Sequence, residues 1–202
     1  MRYMAWIFLA PFLFSGCARV EAREEHHRAH VRLIDNAIAW DDLRVPLTAT
    51  RQGALAKPDF DSTNVGYLFP QNDATEILYF IAQVPHSWAY ETGLEAHVHW
   101  QQSAATAVNW CIDYKVIQLD TLTPAGWSTL CSTSGAFSYT AGNLHQLTEL
   151  GSVSMVGITS PSAIILGKLY RSDNTTVGDV LAWEFDFHYQ LDGFGTDTEY
   201  TK

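Results

Sequence analysis

The sequence predicts an all-β fold, an antiparallel two-sheet sandwich of jelly-roll type, with a short N-terminal helical extension. Three observations predict it. From Trp40 onward, short runs rich in β-branched and aromatic residues alternate with clusters of Gly, Pro, Asn, Asp and Ser, the punctuation of strands joined by tight turns. No segment after Asn36 sustains a helical period for three turns, so the βαβ rhythm of a parallel sheet is missing. The 202 residues, 47% of them hydrophobic, suffice to close one such domain around a core of its own.

The chain begins differently from the way it continues. Residues 1–17 place one Arg before an apolar run, Ala5 to Phe14, that ends in Ser15-Gly16-Cys17. That is the layout of a bacterial lipoprotein signal with Cys17 as the acylated residue, the other reading being a spurious leader from a start codon set too early. The run falls short of the roughly 20 apolar residues a spanning helix needs, so a membrane enters as a partner only through this signal. Residues 18–38 hold good helix formers without Gly or Pro, and Val31, Ile34, Ala37 and Ile38 recur at helical spacing. His26, His27 and His30 stand among Glu24, Glu25 and Arg28 and read as a solvated helix face rather than metal ligands.

Residues 39–202 form the predicted β-sandwich domain. Strands are expected near 43–48, 65–69, 76–84, 95–101, 108–119, 127–133, 152–159, 163–171 and 180–191, separated by Pro- and Gly-bearing breaks such as Pro70-Gln71-Asn72 and Pro124-Ala125-Gly126. Two of them alternate cleanly. In the last, Leu181, Trp183, Phe185, Phe187, Tyr189 and Leu191 are expected to face the core, and Ala182, Glu184, Asp186, His188 and Gln190 to look away from it. At 94–101, Leu94, Ala96, Val98 and Trp100 form the apolar side, and Glu95, His97, His99 and Gln101 the polar one.

Charge narrows the partners. The formal net charge is −10, yet residues 1–57 carry eight bases against six acids, while residues 58–202 carry four bases against sixteen acids. A body of that sign repels phosphates, so no nucleic-acid partner is expected. Catalytic signatures are also missing: no Gly-x-Ser-x-Gly elbow, no Gly-rich phosphate loop and no Cys-x-x-Cys occur, and no cofactor is expected.

Four features remain as candidate sites. The first is the polar-face cluster Glu95, His97, His99, Glu184, Asp186 and His188, which forms only if the two alternating strands are neighbours. Two imidazoles at i and i+2 on one strand face suit a single metal, with His188 and Glu184 or Asp186 completing the ligand set. In this His97-Val98-His99 resembles cupin-type β-barrels. The chain departs from the cupin pattern in having Ser103 or Ala104 where that family places a Glu, and in having only Pro124-Ala125-Gly126 with a distant His145 for its second motif. Trp88 and Tyr90, in the turn-like Pro85–Gly93, are candidates for stacking on a glycan, as is the aromatic segment Phe137–Tyr139, or else anchor a loop. With Cys17 set aside, Cys111 and Cys131 are left as a candidate disulfide; an oxidised bridge fits export, a reduced pair a particle assembled in the cytoplasm.

An ordered series of short motifs runs through the β region: Trp40-Asp41-Asp42-Leu43-Arg44 with Pro46; Pro85-His86 with Trp88; His97-Val98-His99-Trp100; and Glu184 to Gln190 with Asp192 and Gly195. In this the chain resembles a family of small, uncharacterised virion-associated β-sandwich proteins of tailed bacteriophages and prophages. The resemblance implies a non-enzymatic structural or adhesion subunit of a phage particle or related surface assembly, homo-oligomeric and in contact with other virion or surface proteins. It implies a virion location, against the bacterial outer membrane or cell surface that a lipoprotein signal would dictate. A metal-binding protein or enzyme using His97, His99 and His188, and a carbohydrate-binding module, are the alternative readings.

Overall fold

The computed structural model describes residues 39–54, 56–71, 73–132, 141–172 and 178–192. The signal-like segment with Cys17, the helical extension with its three histidines, and Phe137–Tyr139 lie outside the described residues.

Eleven strands appear in chain order: β1 (Trp40–Pro46), β2 (Arg51–Gln52), β3 (Asp59–Asp61), β4 (Gly66–Phe69), β5 (Leu78–Gln83), β6 (Leu94–Gln101), β7 (Trp110–Ile117), β8 (Ser128–Cys131), β9 (Gln146–Val153), β10 (Ile164–Arg171) and β11 (Val180–Gln190). One 3-10 turn, Leu47–Ala49, is the only helical element among the described residues. The first sheet runs β3-β4-β11-β6-β9, with β1 also paired to β11; the second runs β2-β5-β10-β7-β8. Every pairing is antiparallel. The pairs β4·β11, β5·β10, β6·β9 and β7·β8 nest one inside the next, which is the connectivity of a jelly roll.

The core lies between the sheets. Phe80 of β5 packs on Phe185 and Phe187 of β11 with ring centroids 5.0 and 6.1 Å apart. Trp100 of β6 meets Trp110 of β7 at 5.9 Å, and Phe69 of β4 meets the same Trp110 at 5.0 Å, so each sheet sends large rings into the other. Gly167 of β10 is fixed by this packing: a Cβ there would sit 1.9 Å from the Phe80 ring. Arg171 is fully buried, and its Nη1 donates to the carbonyls of Phe69 and Gly178 at 3.0 and 2.8 Å.

Three expectations about the strands are corrected. The strand expected at 152–159 lies at Gln146–Val153 instead, and residues 154–159 form a loop. A bulge beside Gly151, which has φ +115°, puts Thr148, Leu150 and Val153 on the inner side and so hides the alternation. The short edge strands β2 and β3 were not foreseen. In β11 a second bulge falls between Ala182 and Glu184. It reverses the phase: Val180 and Ala182 face the core before it, Phe185, Phe187 and Tyr189 after it, and Leu181 and Trp183 do not join the core. Trp183 is half-exposed, its Nε1 donating to the Asn64 carbonyl at 2.9 Å.

Candidate functional site

The outer face of the first sheet carries the polar cluster. β6 pairs directly with β11, so Asp186 lies opposite His97, Glu184 opposite His99 and His188 opposite Glu95. On the other flank, β1 sets Arg44 opposite Asp186 and Asp42 opposite His188. β9 sets Glu149 opposite His97. Alternation on each strand turns all these side chains away from the core, and cross-strand pairing gathers them into adjacent rows. All six residues expected to form the cluster are therefore brought to one face, though on its outer side and not between the sheets.

Asp186 is the hub. Its carboxylate oxygens lie 3.8 Å from Nδ1 of His97, 3.5 Å from Nε2 of His99 and 3.3 Å from Nε2 of His188. The surrounding rings leave Asp186 only 3% exposed and His97 7% exposed, although both stand on an outer face. The His97 and His188 rings are 4.0 Å apart between centroids. Nδ1 of His97 and Oδ1 of Asp186 are buried with no hydrogen-bond partner, whereas Oδ2 is shared by His99 and His188. Such atoms are costly to bury and are rarely left bare.

The electrostatics of the three imidazoles differ. Burial first, and then the neighbouring His188, hold His97 below the ordinary imidazole value. The hydrogen bond to Asp186 lifts His99 above that value against the opposing effect of burial. The other nitrogen of His99, Nδ1, is 2.9 Å from Nε2 of His145. Nε2 of His188 lies 3.2 Å from Oδ1 of Asp42. Glu184 is engaged at the cluster's margin by Arg44, whose guanidinium grips both carboxylate oxygens. Beside the cluster is an open depression of about 380 Å³ lined by Trp40, Glu95, His97, Glu149 and His188.

The sequence reading did not include Asp42, Glu149 and His145 on this face. The outward alternation of Asp42 and Arg44 was a usable signal for β1, but the bulge in β9 concealed Glu149. Three of the short motifs, Trp40–Arg44, His97–Trp100 and Glu184–Gln190, lie side by side here. β1, β6 and β11 are adjacent strands, and the turn at 85–88 is tied to the end of β11 by Ala89 N to Gln190 O (2.7 Å) and Asp192 N to Ser87 O (2.7 Å).

The remaining candidates fall elsewhere. Trp88 is fully buried, packs on Tyr90 at 5.2 Å and donates Nε1 to the Thr92 carbonyl. It anchors the loop and does not offer a face to a sugar; the expected glycan-stacking role is corrected for this residue. Tyr90 is half-buried against the core. Cys111 and Cys131 stand directly opposite on β7 and β8 and are bonded, with Cα atoms 4.1 Å apart.

A second surface stands out on the outer face of the other sheet. Ile81 is 70% exposed and Tyr79 is exposed with it on β5. Register sets Leu166 opposite Ile81, and Ile164 opposite Ile117, so these five side chains form one apolar patch across β5, β10 and β7. At its border Lys168 and Lys115 lie over the Trp127 ring, 4.0 and 4.8 Å from its centroid.

No protein-family model matches the chain, and no curated protein matches it. Among solved structures it is similar to a family two carbohydrate esterase from Cellvibrio japonicus, with 14% identity and a TM-score of 0.38. The match covers 76% of this chain and 36% of that one, so the chain spans about a third of that protein's length.

Proposed function

We propose that the chain is a structural or adhesion subunit of a phage particle or related surface assembly, self-associating through the outer face of its second sheet. The apolar patch of exposed Tyr79 and Ile81 with half-buried Ile117, Ile164 and Leu166 carries this reading. Clustered exposed hydrophobics on a sheet face mark a contact surface, whereas the same residues scattered singly need no explanation. The patch is bordered by Lys115 and Lys168, which lie over the Trp127 ring. The motif series resembling phage virion proteins supports the setting, and the Cys111–Cys131 bridge favours an exported surface assembly over a particle assembled in the cytoplasm.

Light scattering coupled to size exclusion, on the full-length protein over a range of concentrations, tests the reading. Oligomers are expected for the natural sequence, and Ile81→Asp combined with Leu166→Asp is expected to leave monomers with unchanged circular dichroism. A strict monomer at high concentration overturns it.

A further inference from the structure

We propose that His97, His188 and Asp186 bind one divalent transition-metal ion of the zinc class on the outer face of the first sheet, a site independent of the contact surface on the other sheet. The buried atoms require a partner that the protein does not supply. Nδ1 of His97 and Oδ1 of Asp186 face each other at 3.8 Å, too far for a hydrogen bond, and neither has another partner. Two ligands on one tetrahedral zinc, each about 2.0–2.1 Å from it, stand about 3.3 Å apart. His188 Nε2 stands 3.3 Å from Oδ2 of Asp186, at that spacing, and His97 Nδ1 stands 3.8 Å from Oδ1, somewhat beyond it. One donor atom from each of the three residues lies within 4.8 Å of the others, so small side-chain adjustments close the set around an ion.

The donor chemistry selects the class of ion. Two imidazole nitrogens and one carboxylate suit zinc and its first-row neighbours, whereas magnesium and calcium prefer all-oxygen shells. The supporting groups that commonly orient metal ligands are present as well. His99 Nε2 reaches Oδ2 of Asp186 at 3.5 Å while His145 holds its other nitrogen, and Asp42, 3.2 Å from the same Nε2 of His188 that the ion would take, stands next to the set as a further carboxylate. An open depression lies beside the set: His97 and His188 line it together with Glu95, Glu149 and Trp40, and its two carboxylates attract a cation. An ion here would join β6 to β11 and keep a coordination position toward the depression.

The test is titration of the chelator-treated, untagged full-length protein with zinc chloride by calorimetry, and with cobalt chloride by visible absorption. One ion per chain is expected, with the ligand-field bands of nitrogen and oxygen ligation, and no heat from magnesium at the same concentrations. His97→Ala and His188→Ala are each expected to weaken zinc binding at least a hundredfold, and Glu95→Gln by less than tenfold. Since a cluster variant risks misfolding, imidazole nitrogen NMR of the natural sequence provides a second measurement, in which zinc must shift His97 and His188 together. Substoichiometric zinc, or a zinc shift confined to other histidines, overturns the proposal. Neither result bears on self-association, which the second-sheet variants report separately.

Discussion

Asp186 of β11 and His97 of β6 are direct cross-strand neighbours, with 3.8 Å between Oδ1 and Nδ1 and both atoms buried. The carboxylate is kept in place by its other oxygen, which His99 and His188 share. In metal-free protein, Asp186→Ala therefore removes the acceptor of partly buried ring N–H groups. The expected loss is about 1–3 kcal/mol, read from urea unfolding at neutral pH in the presence of chelator. An unchanged midpoint would show that the carboxylate contributes nothing to holding the three rings.

The bulge in β11 separates two aromatic residues that strict alternation treats as equivalent. Phe185 is fully buried between the sheets, so Phe185→Ala is expected to cost about 3–5 kcal/mol. Trp183 is outside the core and holds the Asn64 carbonyl, so Trp183→Ala should cost about 1 kcal/mol. Thermal melts of the two variants decide the matter, and equal losses would contradict the bulge.

The Cys111–Cys131 bridge closes a loop with a sequence separation of 20 residues. Restricting the unfolded chain over that length is worth about 3 kcal/mol. Cys131→Ser is expected to lower stability by that amount, with little change at β7, which stays paired to β10. A midpoint for the variant that equals that of the reduced natural protein would complete the check.

Asp61 ends β3 in a turn whose backbone it holds: its Oδ1 accepts from the amides of Thr63 and Asn64, and its Oδ2 from the Asn64 side chain. The Asn64 side chain foremost, then the Thr63 amide, hold this carboxyl below its ordinary value of 3.8. The folded state therefore binds its proton less readily than the unfolded chain. Its stabilisation is fully present above 3.8 and is lost as pH falls through the lowered folded value. The stability difference between the natural sequence and Asp61→Asn should be constant from pH 7 to about 5 and shrink on further acidification. A difference that grows toward acid reverses the sign and refutes the arrangement.

How far the sequence reached is clearest from β6 and β11. Period-two alternation is a local property of extended backbone, so His97 and His99 could be assigned to one side of β6, and Glu184, Asp186 and His188 to one side of β11, without knowing the neighbours of either strand. The same locality explains the failures. One extra residue at a bulge costs little and leaves no composition signal, yet it exchanged the sides of Leu181, Trp183 and Ala182 and concealed β9 behind Gly151. Trp88 was left between glycan stacking and loop anchoring, because an aromatic residue in a turn-like segment can be placed only once the sandwich that covers it is known; its burial decides for the anchor.

By itself the sequence determined the all-β class, the two-sheet architecture and the polar character of one side of two strands. Only the tertiary structure decided that β6 and β11 are partners, that β1 adds Asp42 and Arg44, and that a buried Asp186 stands among three imidazoles. The physical reason is the separation of the contacts. His97 and Asp186 lie some ninety residues apart, and their meeting follows from how the jelly roll nests its strands and packs Phe80 onto Phe185 and Phe187. Alternation sets which way a side chain points; non-local pairing sets what it meets.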